Sequence, residues 1–348
     1  MLTAEAFRGV PLSFMRSTKV KRFGQVALFS LLLAEGSGCQ SNDPFHPDTD
    51  GVSSRMVLHN AADAFFASDP DDLAANLPAL HKDFTPFFET LNDDQFLFLV
   101  TDPSLRSLYA DVNIAFPDTN ALHESIRTGF TRMRAAFPSG SSVAVTRVYP
   151  YVSNLDQYPV IVSDSTYVFL ALDLFLGADH PAYAQQSSYL AYTHEPRFAV
   201  PSLFQALAQE RVREKEGSLS LVDQMLYWGR IFCMTEMCIG SENARDILPY
   251  TPEQWAFCEE HEAELWRYFV ENRLLFEQGI AVDRRFIDPA PFSKLQTSYD
   301  QQIPGMIGRW LGYRWVRHYM TENPEVTWSS LAEMTDSRTL LNESNYRP

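Results

Sequence analysis

The sequence predicts an α+β fold, mostly helical with one small mixed or antiparallel sheet. Two observations predict it. Apolar residues recur at three- and four-residue spacing through residues 54–137 and again after Pro201, the period of a helix with one buried face. Between these regions, Val143–Tyr149 alternates and is rich in β-branched residues, and Val160–Val162 and Tyr167–Leu172 follow as short apolar runs. Helices, a sheet of at least three strands, then helices again make one compact unit with a helical N-terminal lobe.

Residues 1–38 read differently. Arg16, Lys19, Lys21 and Arg22 form a basic cluster, Val26–Ala34 is an apolar run broken only by Ser30, and Gly36-Ser37-Gly38-Cys39 follows. A positive region, a short apolar region and small residues before a cut site predict a secretory signal. The run is about half of the ~20 residues a spanning helix needs. Met15 is an alternative start that leaves a signal of ordinary length. A thiol after two small residues resembles the bacterial lipobox, in which the Cys is acylated and becomes the first residue of the mature chain. Gly36 stands where Leu is usual in that signal. Cys39 is thus the expected lipid attachment point, with palmitate-type acyl chains as the membrane contact and no other cofactor; plain cleavage and secretion is the alternative. Residues 39–53, opening Cys39-Gln40-Ser41-Asn42-Asp43-Pro44, read as a polar tether, and 54–348 as a single globular domain.

Residues 1–38 hold five of the 28 basic and two of the 44 acidic residues, which leaves the mature part 23 against 42, a net charge of −19. A field of that sign repels phosphate backbones, so nucleic acid is not an expected partner. Cys233, Cys238 and Cys258 do not form a small-domain disulfide framework. An oxidising periplasm would allow one bridge, and three buried free thiols is the simpler expectation.

In chain order, residues 54–67 and 71–91 are expected helices, with Asp69-Pro70 and Asp71-Asp72 marking the turn and cap between them. Asp93–Val100, Pro103–Asp111 and Thr119–Ala136 continue the helical lobe, and Pro138-Ser139-Gly140 closes it. Ser163-Asp164-Ser165 suits a hairpin turn. Ser202–Glu216, Leu219–Cys238, Pro252–Asn272 and Gly305–Glu322 each carry a broad apolar stripe. Gly305, Gly308 and Gly312 would let the last of these approach a neighbour closely.

Candidate chemistry is sparse. There is no Gly-x-Ser-x-Gly elbow and no phosphate-binding loop. Glu259, Glu260, Glu262 and Glu264 with His261 read as a solvated helix face. Asp173 and Asp179 flank Phe175-Leu176-Gly177 at a strand end, where an Asp can accept backbone N–H bonds and fix a turn. With His180, beside Pro181, they are the candidate cleft or turn residues. Arg309, Arg314, Arg317 and His318 give the last long helix a basic edge, suited to acidic neighbours or a partner.

Four stretches carry a family resemblance: Phe169–Tyr183 (FLALDLFLGADHPAY), Leu221–Arg230 (LVDQMLYWGR), Tyr250–Trp255 (YTPEQW) running on to Trp266–Phe269, and Pro304–Tyr313 (PGMIGRWLGY) with the ending Asn342–Pro348. In this order, behind a lipoprotein signal, they resemble the gliding-motility-associated lipoprotein family GldB of Bacteroidetes, over roughly residues 55–348. The resemblance implies an envelope lipoprotein facing the periplasm, on the inner or the outer membrane, with motility-machinery proteins as partners. It also implies a distant likeness to zincin-like metallopeptidases. The zinc motif of those enzymes is missing: no His-Glu-x-x-His occurs, and the eight His include no pair four apart. His194-Glu195 begins such a motif, but Pro196 follows. The helix aligned with the metal helix reads Gln205-Ala206-Leu207-Ala208-Gln209-Glu210, and Trp228 precedes Gly229 where active relatives carry a Glu ligand. No metal site is expected. A non-catalytic motility lipoprotein is the first reading; a divergent hydrolase, or a glycan- or peptide-binding module using the degenerate cleft, are the alternatives.

Overall fold

Short polar caps and prolines, more than long apolar stripes, set the element boundaries in the N-terminal lobe. The computed structural model describes residues 43–138, 145, 147–163, 166–296 and 300–348. The signal segment 1–38 and Cys39 lie outside the described residues. Strand β1 (Val57–Leu58) comes first. Asn60 then caps α1 (Ala61–Phe66) by accepting the Asp63 N–H. Asp69 caps α2 (Pro70–Ala75), with Pro70 in its first turn. Helices α3 (Leu77–Asp83) and α4 (Thr85–Phe88) also carry a proline in the first turn, Pro78 and Pro86. The single helix expected over 71–91 is therefore three short ones, because a proline has no N–H and fits only a first turn. The helix expected over 54–67 is likewise part strand. Helices α5 (Asp93–Thr101), opened by a reciprocal Asn92–Gln95 capping box, α6 (Pro103–Ala115) and α7 (Thr119–Ala136) start where the sequence places them.

Strands β2 (Arg147–Tyr151), β3 (Val160–Ser163) and β4 (Tyr167–Ala171) complete a sheet of order β1-β2-β4-β3. The β1–β2 and β2–β4 pairs are parallel and β3 runs antiparallel on the outer edge, so the sheet is mixed. The β3–β4 pairing agrees with the expected hairpin, though Asp164 and Ser165 at its tip, like Val143, Ala144 and Thr146 before β2, lie outside the described residues. Register places Tyr149 opposite Phe169, stacked at 5.4 Å, and Phe87 of α4 meets Tyr149 edge-on at 5.6 Å. The N-terminal lobe thus covers an aromatic sheet face, while Val148, Val168 and Leu170 are fully buried on the other.

The remaining helices are α8 (Ser188–Ala191), α9 (Ala199–Arg211), α10 (Leu221–Ile239), α11 (Pro252–Glu260), α12 (Glu262–Glu271), α13 (Ile280–Phe286), α14 (Ile307–Glu322), α15 (Trp328–Glu333) and α16 (Ser337–Glu343). The expected helix over Pro252–Asn272 breaks at His261, and the last two were not legible as helices. Helix α10 is the buried axis of the molecule and crosses α14 at backbone contact. A Cβ at Gly229 would lie 2.3 Å from the Gly312 carbonyl oxygen, and one at Gly312 would lie 2.1 Å from that of Met225. The glycines of α14 therefore act as the sequence suggests, by admitting a neighbouring backbone. Among the described residues, no helix is long and apolar enough to cross a membrane.

Part of the stretch expected to be tether is seated on the C-terminal helices. Phe45 is fully buried, edge-on to Trp328 at 5.6 Å, and the Trp328 indole N–H donates to the Pro44 carbonyl at 3.1 Å.

Asp223 locks the start of α10. Its carboxylate accepts from Lys215 Nζ at 2.7 Å, the Ser220 hydroxyl at 2.6 Å and N–H at 2.9 Å, and the Ser337 hydroxyl at 2.5 Å. Burial raises its pKa, but these donors outweigh burial and hold it at about 2, below the ordinary 3.8. A folded-state pKa below the unfolded one stabilises above pH 3.8, and that stabilisation is lost as pH falls toward 2. The shift corresponds to about 2 kcal/mol. Urea unfolding between pH 6 and 2 should show that loss in the wild type, and Asp223→Asn should flatten it.

Candidate functional site

The strand-end motif is a structural lock. Asp173 is fully buried directly after β4. One carboxylate oxygen accepts the Ser153 N–H at 2.8 Å and hydroxyl at 3.0 Å, and the other accepts the Leu155 N–H at 2.7 Å. These bonds hold Asn154 and Leu155 at φ 65° and 57°, left-handed values that non-glycine residues rarely adopt. Burial raises the Asp173 pKa, and the donors pull against it. Asp179 is exposed, and His180 sits 3.4 Å from Asp111, so the structure does not bring the three candidates together. Asp173→Ala should cost about 2 kcal/mol, from donors left unsatisfied in the interior. Faster amide exchange at Ser153 and Leu155 would report it.

His194 and Glu195, the start of the incomplete zinc motif, clamp the same loop. The His194 ring stacks on Tyr183 at 3.8 Å and donates from Nδ1 to the Leu174 carbonyl at 2.7 Å, while Glu195 accepts the Ala178 N–H at 2.9 Å. Burial lowers the His194 pKa, against the pull of that carbonyl. The acidic run of α11 and α12 departs from the expected solvated face at Glu262. Its side chain is 12% exposed and pairs with Arg314 at 2.9 Å and with the Tyr346 hydroxyl. Cys233, Cys238 and Cys258 are buried free thiols, and burial pushes all three well up from the usual thiol value.

A separate concavity has a volume of about 610 Å³. Its floor is Phe232 of α10 with Met306, just before α14, and Arg309 in the first turn of α14; its walls are Phe198, Pro249-Tyr250 and Pro289–Phe292. Tyr250 fixes one wall to the floor by donating its hydroxyl to the Gly305 carbonyl at 2.6 Å. Gly305 is needed there, since a Cβ would sit 1.9 Å from the Ala290 carbonyl oxygen. Asp246 lines the cavity and is paired with Arg197 at 2.8 Å. Leu190 and Phe292 on the lining are 37% and 41% exposed. The Arg309 guanidinium lies over Trp228, 3.6 Å from the ring centroid, and its Nε is buried without a hydrogen-bond partner. Burial lowers its pKa to about 10, against the nearby Asp288, Tyr250 and Tyr227, so it stays cationic at neutral pH.

The sequence marked Arg309 only as one of three arginines on a basic edge. The convergence of Pro249, Pro289 and Pro291 with Arg309 is a product of tertiary packing. Among the described residues, no group of three or more His, Cys, Asp or Glu is placed to hold a metal. Gln205 of α9, in the segment aligned with the metal helix, donates to the Ile247 carbonyl at 2.7 Å, and Trp228 carries Arg309.

These features define the class as a helix-dominated α+β domain with an arginine-floored cavity. Within that class, the chain belongs to the gliding motility protein GldB family, which it matches over residues 42–348. No curated protein and no solved structure matches the chain.

Proposed function

We propose that the chain is a lipid-anchored, non-catalytic component of the gliding machinery, held in the cell envelope by acyl chains on Cys39 with its domain facing the periplasm. Family membership over residues 42–348 is the observation that carries the motility reading. The seating of Phe45 supports a short anchor. If Cys39 is the first mature residue, six steps of chain lead to the buried Phe45, a reach of about 20 Å when fully extended. The face bearing Trp328 and Arg317 is then held toward the membrane. The zincin-like frame implied by the resemblance belongs to this reading as a frame without zinc ligands, with Trp228 and Gln205 engaged in packing and hydrogen bonding instead.

The test is complementation of a gliding strain that lacks the protein. Cys39→Ala should accumulate in the soluble fraction and fail to restore spreading. Full spreading with the protein in the soluble fraction would overturn the anchored reading. A second reading, a binding module, is favoured by the half-open cavity with its aromatic lining of Tyr189, Tyr192, Phe198 and Phe292.

A further inference from the structure

Helix α14 carries three arginines, and two of them are neutralised. Arg314 pairs with Glu262 at 2.9 Å, and Arg317 pairs with the fully buried Glu236 at 3.1 Å. Arg309 has no hydrogen-bond or ion-pair partner among the described residues, although it lines the cavity and is largely buried. Asp288 is near enough to influence it without forming an ion pair, and Asp246 is occupied by Arg197. The first turn of α14 also contains no acidic residue, so nothing in the helix itself offsets the guanidinium. Trp228 covers the guanidinium from one side, and Arg309 also lines the cavity, where a planar anion can meet it. Around it the lining is mainly apolar and preformed, with Gln205, Thr251 and Gln254 among its polar members: Phe198 and Phe232 are buried, and the prolines of the walls offer no N–H.

We infer that this cavity binds a carboxylate carried on an apolar body, with the carboxylate paired to Arg309 and the apolar part against Phe198, Phe232 and Phe292. This inference rests on the binding-module reading and specifies its ligand. Among the described residues a single unpaired cation lines this mainly apolar cavity, which selects one negative charge; phosphates of higher charge gain less there, because no second cation among those residues lines it. The volume of about 610 Å³ accommodates one or two residues of a peptide end or a small aromatic acid. The free C-terminus of a polypeptide and a small organic acid present the same chemistry to Arg309.

The experiment is calorimetric titration of the purified domain with three probes: N-acetyl-Ala-Ala-Phe with a free carboxylate, the same peptide as its C-terminal amide, and 3-phenylpropionate. The acid peptide should bind saturably, and the amide at least tenfold more weakly. If 3-phenylpropionate binds as well as the acid peptide, the source is a small acid; if it binds much less well, it is a chain terminus. Arg309→Gln should abolish the preference for acid over amide, and Arg309→Lys should keep part of it. Equal binding of acid and amide to the wild type would overturn the carboxylate inference and leave the binding-module reading standing. Saturable binding of none of the three by folded wild type would overturn both.

Discussion

Arg317→Ala should destabilise the protein by about 3–5 kcal/mol, the cost of leaving a buried carboxylate without its counter-charge. Glu236 has no exposed side-chain surface. It accepts from both Arg317 Nε and Nη2 at 3.1 Å, from the Tyr313 hydroxyl at 2.7 Å and from the Ser241 hydroxyl at 2.7 Å. Burial pushes the Tyr313 hydroxyl well above its ordinary value, and Glu236 adds to the shift. Burial works against the Arg317 cation, yet Glu236 outweighs it and raises that pKa. The pair ties α10 to α14 and also covers Phe45, which lies 4.7 Å beneath the Arg317 guanidinium. Urea unfolding should place Arg317→Met far below wild type and the double variant Glu236→Gln/Arg317→Met nearer to it, because the second change removes the orphaned charge. A double variant no better than the single one would show that the arginine contributes through packing alone.

Gly312→Ala and Gly229→Ala should each lose about 3 kcal/mol, at the upper end of what overpacking usually costs. In both cases the added Cβ meets a backbone carbonyl oxygen of the other helix, at 2.1 and 2.3 Å, and a carbonyl inside a helix cannot swing aside as a flexible side chain can. Helices α10 and α14 must separate, and with them the floor of the cavity. The melting temperature should fall by roughly 6–12 °C. Gly177→Ala, with φ +101° but open space around it, should cost only about 1 kcal/mol of backbone strain. A loss below 1 kcal/mol at Gly312 would mean that the helices part without penalty.

Local chemistry explains which elements were legible in advance. Asp102-Pro103 and Asn92 with Gln95 are helix-start signals that act within a few residues, and α5 and α6 begin where they stand. Asp173 was recognisable as a turn-fixing carboxylate for the same reason, since its partners Ser153 and Leu155 adjoin the strand paired with its own. Distant partners were not readable. Glu262 sits in an acidic run and looks solvated until Arg314, 52 residues away, folds over it. Strand β1 has two residues and exists only because β2 offers an edge. Phe45 follows a polar stretch with no apolar period, and only Trp328, 283 residues later, makes it part of the core. The isolation of Arg309 likewise depends on which of its helix neighbours found a glutamate.

The central claim, a domain held by lipid on Cys39, is tested most directly by intact mass of the protein extracted from membranes, comparing wild type with Cys39→Ala. The account predicts a mature wild-type chain that begins at Cys39 and carries added acyl mass, with that mass missing from the variant. A wild-type chain cut near residue 38 without acyl mass, or one retaining residues 1–38, would contradict it.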